Sequence, residues 1–192
     1  MDDMALWTLL IEGNPYALEI IYKRHYALLL NYGFKFCQDT ELTKDCIQDL
    51  FIKLHNSKEL SKTVSPRSYL LRALRNILYD NLLLSKETTR LDEFAFHISD
   101  SHDLFEQLFF KNDEDMQLSR QLLNALSSLS SVQKTVLYLR FVRGLSHKEI
   151  AEVMNINVQS SMNLVSRSLV KLRKLMNSDR LLIIHLLKIG VI

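Results

Sequence analysis

Three clusters of side chains in this 192-residue chain have types and spacings suited to recognition, and none has the spacing of a catalytic site. In the first, Asp45, Gln48, Asp49 and Lys53 recur at three- and four-residue intervals within TELTKDCIQDLFIKLHN, so a helix there would carry carboxylates, an amide and an ammonium on one face. Such a face is either simply solvated or a docking surface. In the second, Lys58, Lys62, Arg67, Arg72 and Arg75 are interleaved with Tyr69 and Asn76. Cations that meet phosphates and an aromatic ring that stacks on an unpaired base would suit single-stranded nucleic acid; a soluble helix with a core tyrosine gives the same pattern. The third comprises Lys148, Gln159, Ser160, Met162, Asn163, Ser166, Arg167 and Lys171. There an amide can pair with an adenine edge, an arginine with guanine, and lysines with phosphates.

Other chemistries find no footing. The six histidines are scattered without an HExxH pattern, four glycines form no phosphate-cradling loop, and Cys37 and Cys46 stand nine apart with no CxxC partner. The expectation is a binding protein rather than an enzyme, with no metal and no cofactor. The acidic N-terminus does not suit a secretory signal, and no apolar run reaches the roughly 18 residues of a membrane span. Free cysteines and these absences point to a cytoplasmic protein with no membrane insertion of its own.

The elements that must position these clusters are helices. Hydrophobic residues make up 47% of the chain, with only four glycines and two prolines, which disfavours disorder and turn-rich β folds. An all-α chain of two small helical domains joined by an acidic linker is expected. Apolar positions from Ala17 to Phe36 predict one or two helices, with Asn14 as cap and Pro15 in the first turn. Asp39 or Thr40 caps the next, whose inward stripe is Leu42, Cys46, Ile47, Leu50, Phe51 and Leu54. Ser65-Pro66 opens a third amphipathic helix, inward at Tyr69 or Leu70, Ala73, Leu74, Ile77 and Leu78.

Charge divides the chain. Residues 1–90 hold 12 basic and 11 acidic side chains, residues 91–119 hold one and eight, and residues 120–192 hold eleven and three, so the segments carry +1, −7 and +8. The predicted organisation is a domain over 1–90, a linker over 91–119, a basic domain over 120–178 and an apolar tail over 179–192. The basic domain parses as a helix from about Ser131 to Arg143 ending at Gly144, a Ser146/Glu149 capping box opening a short helix, a tight turn at Asn155-Ile156-Asn157, and a longer helix. The longer helix is inward at Leu164, Val165, Leu169, Leu172 and either Leu175 or Met176. Short helix, tight turn and longer helix form the layout of a helix-turn-helix, whose second helix enters the major groove.

Both halves together resemble the extracytoplasmic-function group of bacterial sigma factors. The likeness rests on DTELTKDCIQDLFIKL, where Asp45, Gln48, Asp49 and Phe51 occupy the places of a D-x-x-Q-E-x-F pattern. It rests also on SYLLRALRNILYDNL, with Arg75, Asn76 and Asp80 matching R-N-x-x-x-D, and on LRFVRGLSHKEIAEVMNIN, similar to the leading helix and turn of region four. The resemblance implies that Asp45, Gln48, Asp49 and Lys53 contact core RNA polymerase. It implies that Lys58, Lys62, Arg67, Tyr69, Arg72, Arg75 and Asn76 recognise and melt the minus-ten element, and that the helix-turn-helix cluster reads the minus-thirty-five element of promoter DNA. An anti-sigma partner and an acidic linker lying along the path of emerging RNA are further implications. Two departures stand out. NLLLSKETTR replaces the usual basic run after R-N-x-x-x-D, and the reading helix begins with Ser160-Ser161-Met162 where a basic residue is common. A helix-turn-helix regulator that works without polymerase is the alternative reading.

Overall fold

The computed structural model describes residues 1–57, 60, 65–85 and 121–177, and among these residues all regular structure is helical. Two compact units divide the chain, one built mainly from the N-terminal half and one mainly from the C-terminal half. Residues 91–119 and 179–192, which carry the predicted linker and tail, lie outside the described residues.

The first unit contains α1 (Asp3–Ile11), α2 (Pro15–Cys37), α3 (Thr40–Asn56) and α4 (Pro66–Ser85). Each start has a chemical cause. Asp2 accepts from the Ala5 N–H, Asn14 from Tyr16 ahead of Pro15, and Asp39 from Leu42, so side-chain oxygens satisfy amides that have no partner within the helix. Pro15–Cys37 is one continuous helix, ended by Gln38 in the left-handed conformation. It packs against α1, α3 and α4. The core between them is dense: Leu6, Trp7, Ile21, Leu29, Tyr32, Ile47, Leu70, Leu71, Leu74 and Leu78 are almost fully enclosed. The closest approach involves Gly33, where an added Cβ would sit 2.6 Å from Thr43 Cγ2 and 3.3 Å from Leu78 Cδ1. Only a hydrogen at that position lets α2 lie this near α3 and α4.

α1 is absent from the periodicity reading, which begins at Asn14. Its apolar residues Ala5, Leu6, Trp7, Leu9, Leu10 and Ile11 surround the helix rather than mark one face. Trp7 nevertheless anchors it, buried with its ring centroid 5.1 Å from that of Tyr69 on α4. At the start of α1, Asp3 pairs with Arg24 and lies 3.1 Å from His25 Nε2, both on α2. His25 is buried although the sequence pattern did not place it inward, whereas Ile20 and Tyr22 keep substantial exposure.

The C-terminal half holds helical residues 121–127, α5 (Ser131–Leu137), a π-helical turn over Tyr138–Val142, α6 (His147–Met154) and α7 (Val158–Met176). Ser130 and Gln133 form a reciprocal capping box at the start of α5. The single α-helix expected over Ser131 to Arg143 is therefore divided. Its second half widens to i→i+5 bonding, with Arg143 N donating to the Tyr138 carbonyl at 3.0 Å. Five consecutive residues, Thr135 to Leu139, spanning the end of α5 and the start of this turn, are all buried. Arg143 folds back over Tyr138, 5.0 Å from the ring centroid, and its Nε donates to the phenol oxygen at 2.6 Å.

Candidate functional site

The three clusters are held by different means. On α3, a buried stripe of Thr43, Cys46, Ile47, Leu50, Phe51 and Leu54 fixes the helix's rotation about its axis. That rotation turns Asp45, Gln48, Asp49 and Lys53 outward together, all exposed, with half-exposed Ile52 among them. Beside this face runs a groove of about 510 Å³ between α2 and α3, lined by Leu18, Tyr22, Tyr26, Lys44, Gln48, Phe51, Ile52 and His55. Tyr22 meets Phe51 edge-on at 5.0 Å and Tyr26 at 5.3 Å. The groove was not anticipated from the sequence, where Tyr22 counts as another core residue; the i, i+4 spacing of Leu18, Tyr22 and Tyr26 was the available signal. Burial pushes the Cys46 thiol up to about 11, so it stays protonated, consistent with a structural residue.

The second cluster is only partly brought together. Lys58 and Lys62 lie outside the described residues. On α4, Arg72 and Asn76 are exposed one turn apart, with Tyr69 and Arg75 half-buried at the flanks. Tyr69 packs on Trp7 and is therefore not a free-standing stacking surface. Arg67 turns toward α2, where its charge, with that of Arg24, helps hold His25 below the usual histidine range; burial is the larger cause, and Asp3 opposes it.

In the third cluster every turn is set by local chemistry. Gly144 adopts φ +69° after the π-helical turn, and the Leu145 carbonyl that follows accepts from Arg140 Nη1 at 2.8 Å. The capping box forms as expected: Glu149 N donates to Ser146 Oγ at 3.2 Å and Ser146 N to Glu149 Oε2 at 2.8 Å. Asn155 takes φ +54°, and Asn157 Oδ1 caps α7 by accepting from Ser160 N at 2.7 Å. His147 Nδ1 lies 3.2 Å from Ser161 Oγ, joining the start of α6 to α7. Desolvation, with the Arg140 charge, holds His147 below its ordinary value.

The inward side of α7 is Ser161, Val165, Ser168, Leu169, Leu172 and Met176, while Leu175 remains half-exposed. The opposite side displays Gln159, Ser160, Met162, Asn163, Ser166 and Arg167, all exposed, and Lys148 is exposed on α6. Lys171 differs. It is half-buried, and its ammonium donates to the Ser128 carbonyl at 2.7 Å, so it ties α7 to the turn after residues 121–127. Arg173 and Lys174 on the last turn are exposed cations. Among the described residues, no group of three or more His, Cys, Asp or Glu side chains is placed to hold a metal ion, and no helix is long and apolar enough to cross a membrane.

Comparison with known proteins gives the same two parts in the same order. Residues 21–87 match the family model of sigma-70 region 2, and residues 119–172 match that of sigma-70 region 4. The chain is 24% identical over 174 residues to the RNA polymerase sigma factor YlaC of Bacillus subtilis, covering 85% of this chain and 94% of that protein. It is 24% identical over 159 residues to the ECF RNA polymerase sigma factor SigX of the same organism, covering 81% of each. The solved structure of CnrH in complex with the cytosolic domain of CnrY shares the fold at a TM-score of 0.60 and 21% identity, covering 92% of this chain and 98% of that one. Helices α2 to α4 thus fall largely in region 2 and the helix-turn-helix in region 4, and the chain belongs to the sigma-70 family.

Proposed function

We propose that this chain acts as an alternative sigma factor, binding core RNA polymerase through the outward face of α3 and directing initiation at promoters whose upstream element is read by α7. The observation that carries this reading is the coexistence, in one chain and in family order, of a region 2 match whose α3 presents Asp45, Gln48, Asp49 and Lys53 together and a region 4 match whose α7 presents an exposed polar face. A protein surface and a major-groove reader in one chain suit a subunit that places an enzyme on DNA better than a stand-alone repressor, which has no need of the first.

The mechanism is differential binding. The chain contributes contacts that favour opened promoter over duplex, the reading being that Arg72 and Asn76, exposed on α4, meet the melted strand with Arg75 at their flank. No covalent chemistry is assigned to it. Affinity of the isolated chain for duplex DNA should be weak, because few phosphate contacts are available, and should fall further as salt rises, because those contacts bind by releasing counterions. We extend the reading to an anti-sigma protein partner: the solved relative CnrH was captured with the cytosolic domain of CnrY bound, and the groove beside α3 offers apolar surface next to the face assigned to polymerase.

The test is transcription from fragmented genomic DNA by purified bacterial core polymerase with and without the chain. Discrete new starts that disappear in the Gln48→Ala/Asp49→Ala variant are expected. Tight sequence-specific duplex binding without polymerase, and no new starts, would replace this reading with that of an ordinary regulator.

A further inference from the structure

The first two turns of α7 hold an arrangement that residue types alone do not reveal. Gln159 Nε2 donates to Asn163 Oδ1 at 3.1 Å, one turn apart on the exposed face. Each side-chain amide has one carbonyl acceptor and one nitrogen with two donors. Once joined, the two still offer the wholly free carbonyl Gln159 Oε1 and the wholly free amide nitrogen Asn163 Nδ2 to a ligand, while Gln159 Nε2 keeps one N–H and Asn163 Oδ1 one lone pair beside the bond they share. Rotating both amides by half a turn exchanges which residue donates and leaves the same outward pair. The two residues therefore form one donor-acceptor unit rather than two independent readers.

That unit discriminates among base edges. In the major groove adenine presents an acceptor, N7, beside a donor, N6, which the amide and the carbonyl complement. Guanine presents two acceptors, N7 and O6, so the carbonyl would face an oxygen. Thymine offers an acceptor and a methyl group, and cytosine a donor alone. The surroundings reinforce the choice. Met162 and Ser166 complete an exposed lozenge with the pair at three- and four-residue spacing, and residues 158–166 contain no Lys or Arg to supply the cationic fork that suits guanine. A hydrogen bond at this spacing on any exposed helix contributes a little helix stability, but here it lies at the start of the second helix of a helix-turn-helix, the part that meets base edges.

We propose that Gln159 and Asn163 act as a single amide pair that selects adenine over guanine at one base pair of the duplex element read by α7. The proposal rests on the reading of the C-terminal unit as a promoter reader and names its specificity. The test uses the full chain assembled with purified bacterial core polymerase, presented with a pool of duplexes carrying a randomised segment, and sequencing of the duplexes retained.

One position should favour adenine over guanine by roughly five- to a hundredfold, the range of a good bidentate contact. Gln159→Ala and Asn163→Ala should each erase that preference, the double variant should erase no more, and preferences at other positions should persist. Asn163→Asp should move the same position toward cytosine, whose amine suits a carboxylate. A pair that merely stabilises the helix would weaken retention of all sequences equally, and that result would overturn the proposal. Enrichment of a discrete element with no such adenine would overturn it while leaving the sigma reading standing; no assembly with polymerase, or no enrichment at all, would remove both.

Discussion

The two units present contrasting surfaces. The face of α3 mixes carboxylates, an amide and an ammonium around an exposed isoleucine, beside an aromatic-lined groove. The face of α7 begins with uncharged amides and hydroxyls, and its first cation is Arg167. A surface of opposite charges and apolar area suits another protein, where complementary charges set orientation and buried apolar side chains supply affinity. A surface of fixed donors and acceptors suits base edges, with charge kept to the margins where phosphates lie. The scaffolds differ too. Tight packing around Gly33 positions α3, whereas a succession of caps and left-handed residues positions α7.

This contrast can be broken by substitution. The largest effect is expected from Trp7→Ala, which should cost about 3–5 kcal/mol of the N-terminal unit's stability. Hydrogen exchange would show lost protection in α1 to α4, and equal loss in α5 to α7 would erase the energetic distinction between the units. Next, the Gln48→Ala/Asp49→Ala variant should lower affinity for core polymerase by roughly thirtyfold, about 2 kcal/mol, as central interface residues do. Its thermal midpoint should not move, because both side chains are exposed.

Gly33→Ala comes third. Alanine favours a helix by roughly 1 kcal/mol over glycine, but the new methyl would meet Thr43 and Leu78, so a net loss of about 1–2 kcal/mol is expected in urea denaturation. Stabilisation would mean that α2 and α3 part easily and that packing does not position the α3 face. A smaller change is expected from Asn157→Ala, about 1 kcal/mol for a lost cap, with faster amide exchange at Ser160 and weaker base selection by α7.

The smallest effect is one of pH. Burial holds His25 below the ordinary histidine value of about 6.5, so the unfolded chain binds this proton more readily than the folded one. Its contribution to stability is present above about pH 6.5 and is lost as the pH falls from there through the lower folded value. His147 has the same sign. The N-terminal unit should nevertheless lose more on acidification, since His25 is the more deeply enclosed, and Asp3, Arg24 and Arg67 are the charges that act on it. His25→Gln should flatten the pH profile of its unfolding; an unchanged profile would assign the acid response to other groups.

Much of this could be read in advance. Asn14-Pro15, Asp39, Ser146 with Glu149, Gly144 and Asn155 each act within a few residues, and each performs the expected local task. The outward face of α3 was legible because its buried stripe repeats at helical spacing. Less legible were α1, whose apolar residues show no face, the π-helical turn, and the groove at Tyr22, since all three depend on what lies across from them. Lys171 shows the same limit: its charge suits a phosphate, while its position gives it the Ser128 carbonyl.

The sequence by itself determined the helical elements, their caps, the charge asymmetry and the two family segments, because hydrophobic period, capping chemistry and motif order are local properties of the chain. The tertiary structure decided that Trp7 lies beneath Tyr69, that His25 is enclosed beside Asp3, and that Gly33 admits α3 and α4 so closely. These pairings arise from the rotation and approach of packed helices and from the rotamers they permit, quantities set by the simultaneous fit of many side chains rather than by any short stretch of sequence.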